Sequence, residues 1–172
     1  MIDFITQIGE AFVGSGPEAA HLNTVLGAKG GPVETAWATA LATPRTGHAA
    51  FLTTIRPGIP AKPMTLFVNK AILEDEAHSN LTWGPAQAGV ASGVLWAVAD
   101  GIIEAELVDA LVLIAAVWVN PEAADEALVY ENNRAATHDA LAAGAAGSPS
   151  LAEALEYRDR PLNAYYLPPE VE

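Results

Sequence analysis

Leu107-Val-Asp-Ala-Leu-Val-Leu-Ile-Ala-Ala-Val-Trp-Val119 runs straight into Asn120-Pro121-Glu122. The first stretch is almost wholly apolar and rich in β-branched residues, which predicts a strand buried on both faces. Its longest unbroken apolar run, Ala110 to Val119, falls far short of the ~20 residues a membrane-spanning helix needs. The second stretch predicts a helix start: Asn120 as N-cap, Pro121 in the first turn, and Glu122, Asp125 and Glu126 at the positive end of the dipole. That helix, the longest, is expected over 121–143. A central strand feeding a long helix sets the class as α/β.

Two strands are expected at 2–13 and 19–28, joined by the turn Gly14-Ser15-Gly16-Pro17. A helix follows at 32–43, with Pro32 in its first turn, Glu34 near its start and Pro44 ending it. Residues 47–56 and 65–70 read as strands. Pro57 to Pro63, with three prolines and a glycine, is expected to hold no regular structure. A helix over 85–100 carries Ala86, Gly89, Ala91 and Gly93, a spacing that permits close backbone approach to another element. Beyond Gly144 a short helix at 149–157 precedes an extended or mobile end at 161–172. The organisation expected is one domain over 1–146, a mixed sheet packed by helices, and a tail over 147–172.

Hydrophobic residues make up 51% of the 172, and charged residues only 17%. Soluble domains average roughly 25% charged, so a subunit interface that covers apolar surface is expected. The formal charge of −13 argues against nucleic acid and anionic membranes as partners. The absence of cysteine removes disulfides, thiolate catalysis and thiolate metal sites. Residues 1–13 lack the basic start of a secretory signal and carry Asp3 and Glu10. The compartment expected is the cytoplasm.

Gly14-Ser-Gly16-Pro-Glu-Ala19 matches the dinucleotide fingerprint G-x-G-x-x-A. It leads into a strand pattern rather than a helix, and Glu18 would repel phosphate, so a plain turn is the better reading. The four histidines show no metal-ligand spacing. His48, His78 and His138 are expected to be surface or satisfied core residues. His21 follows the glycine turn on the return strand. An imidazole titrates near neutral pH, which makes His21 the leading proton carrier. Lys70 ends an apolar strand, and Gln87 puts an amide near a helix start.

Taken together, Gly9-Glu-Ala-Phe-Val-Gly-Ser-Gly-Pro-Glu-Ala-Ala-His21, Gly31-Pro-Val-Glu34-Thr35-Ala36, Pro60-Ala-Lys62-Pro63-Met-Thr65-Leu66, Asn69-Lys70 and Gly84-Pro85-Ala86-Gln87-Ala-Gly89-Val90 resemble the formaldehyde-activating enzyme family. Ala99-Asp100-Gly101-Ile102-Ile103 and Glu122-Ala123-Ala124-Asp125 continue the likeness, which spans residues 8–143 in order. The resemblance implies a fold like domain 2 of ribosomal protein S5, with a left-handed βαβ crossover against the usual rule. It implies a homopentamer with a site between subunits, and condensation of formaldehyde with tetrahydromethanopterin to the methylene compound with loss of water. His21 would be the general acid. Asn23, Leu52, Lys70, Ile72 and Gln87 would bind the pterin, a co-substrate; no covalently bound cofactor and no metal are implied.

This chain departs from the family pattern at several of those positions. Asn23 stands where the family has aspartate, and Ile72 where it has a hydroxyl residue. Met64 and Ala88 replace an asparagine and commonly a histidine. The scaffold and the histidine stay while the ligand-reading residues change, as in a divergent paralogue. Two other functions therefore stay open: a non-catalytic protein that binds a pterin or an aldehyde, and the same imine chemistry on another amine carrier such as a folate.

Overall fold

The computed structural model describes residues 4–73, 75–163 and 166–169. In chain order the elements are β1 (Gln7–Val13), β2 (Ala20–Ala28), α1 (Pro32–Ala42), β3 (Phe51–Leu52), β4 (Thr54–Arg56), β5 (Ile59–Pro60) and β6 (Met64–Asn69). Then come α2 (Glu76–Leu81), a π-helical turn (Thr82–Ala86), α3 (Gln87–Ala99), β7 (Leu111–Trp118), α4 (Glu126–Ala146) and α5 (Leu151–Glu156). Five strands form one mixed sheet in the order β1-β2-β7-β6-β3, in which only β6 and β7 are parallel. The expected α/β class and mixed sheet are present.

Alternation assigns the two faces of the sheet. Ala20, Leu22, Thr24 and Leu26 of β2, with Leu111, Leu113, Ala115 and Val117 of β7, are buried beneath α3 and α4. Each fully buried leucine or valine among them stabilises by roughly 1.5–3 kcal/mol. The opposite face carries His21, Asn23 and Val25 on β2, and Ile114, Ala116 and Trp118 on β7. All six are only half-buried. One helix, α1, covers a corner of that face, with Val33 lying over Gly27. The expectation of a strand buried on both faces therefore holds for Leu111 to Leu113 and fails from Ile114 onward, because no second helical layer lies over that half among the described residues.

Glycine sets the helix-to-sheet distance. A Cβ on Gly9 of β1 would lie 1.7 Å from the Ala140 carbonyl oxygen of α4. On α3, a Cβ at Gly89 or Gly93 would lie 2.5 Å from the Tyr130 or Arg134 carbonyl oxygen. The close approach foreseen for the small residues of α3 is thus made onto α4.

Several expected boundaries move for identifiable reasons. The first strand starts at Gln7, not residue 2; residues 2 and 3 lie outside the described residues, and pairing begins at Gln7–Leu26. The expected strand 47–56 is split. Residues 45–48 make a tight turn, and the main sheet takes only Phe51–Leu52. At Thr53 the chain turns away: its N–H donates to Thr65 O at 3.0 Å and its own carbonyl accepts from Ala61 N at 3.0 Å. The segment 57–63 does contain regular structure. β5 pairs with β4 across the Pro57-Gly58 turn, where Gly58 takes φ +78°. Pro60 lies in a two-stranded ribbon, where a missing N–H is tolerated.

The expected helix 85–100 begins at Gln87 and is preceded by α2, which sequence reading missed. Asp75 caps α2 by accepting His78 N–H at 2.8 Å, and Pro85 falls in the widened π turn. The central strand starts at Leu111 because a turn closes before it, Ala110 N donating to Leu107 O at 2.8 Å. The long helix starts at Glu126, not residue 121. Asn120 instead takes Glu122 N–H in a side-chain turn at 2.9 Å, and Asp125 accepts from Ala127 and Leu128 N–H. α1 and α5 lie where expected, the latter closed by a Ser150–Glu153 capping box. Of the tail, residues 164, 165 and 170–172 lie outside the described residues.

Gly9→Ala is expected to destabilise the fold by about 3 kcal/mol or more, since backbone and not a flexible side chain blocks the methyl group. At about 2–4 °C per kcal/mol for this size, Tm falls by roughly 6–12 °C in a thermal melt. Gly84→Ala, where an added Cβ meets nothing within 4 Å, leaves Tm nearly unchanged.

Candidate functional site

The open half of the sheet forms a cleft of about 870 Å³. Glu10 and Phe12 of β1, His21 and Asn23 of β2, and Trp118 of β7 line its floor, with Lys70 at the end of β6 and Leu162 and Asn163 of the tail at its margin. Strand register makes this constellation. Phe12 lies opposite His21, Glu10 opposite Asn23, and Trp118 opposite His21 on the other side. Residues paired across strands share a face, so one row reads Phe12-His21-Trp118 and the next Glu10-Asn23-Ala116.

The polar groups are joined in pairs. His21 Nε2 lies 2.9 Å from Glu10 Oε1. Lys70 Nζ donates to Asn23 Oδ1 at 2.8 Å. Lys70 is fixed through its backbone, since its N–H donates to Val117 O at 2.7 Å and extends the β6–β7 ladder by one residue. Burial lowers the pKa of Lys70 from the usual lysine value, and the negative charge of Glu10 partly opposes that. The Phe12 and His21 rings are tilted against each other with centroids 6.1 Å apart.

The remaining sequence-predicted binding residues are elsewhere. Leu52 and Gln87 line a second, shallower cleft of about 390 Å³ with Ala49, Phe51, Thr54 and Trp83. Gln87 opens α3 directly after the π turn, and its Oε1 accepts from Thr54 N–H at 2.5 Å. Ile72 lines neither cleft; it is 56% exposed and packs over Gly47. The chain therefore brings His21, Asn23 and Lys70 into one cleft and leaves Leu52, Gln87 and Ile72 outside its lining.

The other histidines make structural contacts. His78 is buried with Nε2 3.0 Å from Val119 O, and His48 Nδ1 lies 3.0 Å from Asn69 O. His138 stacks on Trp96 at 4.0 Å between centroids, with Nε2 3.1 Å from Asp100. The glycine turn is a hairpin, with φ +87° at Gly14 and +69° at Gly16. Glu18 points its carboxylate at the N–H groups of Ala124 and Asp125, just ahead of α4, at 3.3 and 3.5 Å.

Sequence reading missed Glu10, Phe12, Trp118, Leu162 and Asn163. Glu10 and Phe12 were within reach: they alternate on a strand that must pair with the strand of His21. Trp118 required the β2–β7 register, and nothing local marked Leu162 or Asn163.

The family model for formaldehyde-activating enzyme (Fae) matches residues 8–166. The chain is 43% identical to a 5,6,7,8-tetrahydromethanopterin hydro-lyase of Methanosarcina barkeri, over 90% of this chain and 86% of that protein. It is 40% identical to a bifunctional enzyme Fae/Hps of Methanococcoides burtonii and 39% identical to one of Methanosphaera stadtmanae, each over 91% of this chain. It spans only 40% and 38% of the length of those two bifunctional proteins. With a matching family model over most of its length and a relative of similar size at this identity, the chain belongs to the formaldehyde-activating enzyme family.

Proposed function

We propose that this protein condenses formaldehyde with tetrahydromethanopterin, with His21 as general acid. The observation that carries this reading is an ionisable imidazole on the floor of an open cleft, beside Asn23 and Lys70, in a chain of this family. The name of the Methanosarcina barkeri relative supports the carrier.

The chemistry asks for such a residue. A pterin amine attacks formaldehyde, forming a C–N bond and a carbinolamine. Hydroxide leaves poorly, so the protonated ring of His21 donates a proton to the departing oxygen. The C–O bond breaks, water leaves and an iminium remains. The second amine closes on that carbon and releases a proton. Proton donation of this kind contributes roughly 10²–10⁴ in rate, and a fixed cleft adds orientation.

Asn23 alters how a ligand is read. Its Oδ1 is taken by Lys70, so it offers a ligand N–H donors through Nδ2. An aspartate there would accept from Lys70 with one oxygen and from a ligand N–H with the other. This difference supports a weakened or shifted carrier preference, with a folate as the second carrier to test.

The separation of Leu52 and Gln87 from His21 within one chain supports a site shared by two copies. In this reading the cleft of Leu52 and Gln87 on one protomer faces the His21 cleft of its neighbour. The homopentamer implied by the family resemblance supplies such a junction five times.

His21→Ala is expected to lower formaldehyde-dependent methylene-tetrahydromethanopterin formation by about 10²–10⁴-fold in kcat. A wild-type rate no faster than the spontaneous reaction at saturating pterin would overturn the assignment. Asn23→Asp is expected to strengthen use of the methanopterin carrier over the folate by about 1–3 kcal/mol in kcat/KM. No gain would mean that this position does not limit the reaction. Co-expressed His21→Ala and Gln87→Ala chains are expected to regain activity that neither has alone, because mixed junctions restore intact sites. An absence of complementation would place the whole site within one chain.

A further inference from the structure

We propose that Glu10 is the positioning residue for His21: its carboxylate holds the Nε2–H of the ring, so that the proton passed to the substrate leaves from Nδ1. This rests on His21 being the proton donor.

The geometry points to it from three sides. First, Glu10 is the one carboxylate among the described residues that line the cleft. Its Oε1 lies 2.9 Å from His21 Nε2. Second, the contact follows from strand register. Glu10 is directly opposite Asn23, which places it diagonally from His21 on the same face. A diagonal neighbour about 7–8 Å away suits a side chain of glutamate length and not a shorter one. Third, the backbone that carries Glu10 is fixed. Gly9 lies against the Ala140 carbonyl, and the strand cannot slide or rotate there without moving α4.

Three of its neighbours in the cleft cannot take over this task. Phe12 flanks it from β1 and Trp118 faces it from β7, and neither carries an acceptor for an imidazole N–H. Lys70, from the end of β6, is only a donor and is engaged with Asn23. Glu10 therefore supplies the negative charge that balances the ring in its protonated, donating form. Once the proton has gone from Nδ1 to the departing oxygen, the neutral ring keeps its hydrogen on Nε2, still held by Glu10. The choice of nitrogen is set by the hydrogen bond that the other one makes. The negative charge of the same carboxylate also favours the ammonium form of Lys70.

The side chains of His21 and Glu10 are 40% and 59% exposed, so replacing Glu10 leaves the core intact. Ring ¹⁵N shifts of the neutral imidazole in the wild-type protein are expected to show hydrogen on Nε2. In Glu10→Ala that preference is lost, and kcat falls by about 10- to 100-fold with less than a threefold change in KM for the pterin, well below the roughly 10⁴-fold cost of spoiling the tautomer in a buried triad. Glu10→Gln, which keeps an oxygen acceptor at the same reach, restores most of the tautomer preference and part of kcat. A wild-type ring protonated on Nδ1, or an unchanged kcat in Glu10→Ala, would overturn the proposal. The NMR readout needs no turnover. A wild-type protein inactive on formaldehyde and pterin therefore sinks the functional reading, while the tautomer still decides the role of Glu10.

Discussion

Everything in this fold hangs on how closely backbone can approach α4. Gly9 from the sheet and Gly89 and Gly93 from α3 all meet α4 main-chain carbonyls at distances that exclude a methyl group. The helix is thereby pressed against β1 on one side and α3 on another, and Val129, Ala136, Ala140 and Leu141 are sealed between them. Packing this tight leaves little freedom in the position of β1. Because β1 is an edge strand paired only with β2, α4 is what holds it in place.

The consequence appears on the other face. Helices cover one side of the sheet, and α1 reaches only a corner of the opposite side. The uncovered half is where β1, β2 and β7 place Glu10, Phe12, His21, Asn23 and Trp118 in adjoining rows. A pairing shift of one residue in β1 would turn Glu10 and Phe12 away from that face. The clamp that fixes β1 from beneath the sheet thus fixes the chemistry on the other face.

Much of the fold was legible. The apolar run before Asn120 marked the central strand, Pro32 and Glu34 marked α1, and Ser150 with Glu153 marked α5, because capping and β-propensity act over a few residues. The misreadings have a common cause. Asn120 and Asp125 are both good caps, and Glu18, distant in sequence, makes its contacts beside Asp125. Residues 47–56 have strand composition, but Thr53 is shared between two sheets, so pairing partners far along the chain decide where the strand breaks.

For the site, the sequence alone singled out His21 from residue chemistry and drew attention to Lys70 and Gln87, and family likeness added Asn23, Leu52 and Ile72. It could not say which of them meet. Strand register brings Glu10 to His21, the β6–β7 ladder brings Lys70 to Asn23, and the turn at Thr53 carries the chain from Leu52 to Thr54, whose N–H is held by Gln87 in a separate cleft. Local sequence determined which residues could carry a proton or read a ligand, because that depends on side-chain chemistry. Only the tertiary structure decided which of them act together, because distance across a sheet is set by pairing and packing between segments that are far apart in the chain.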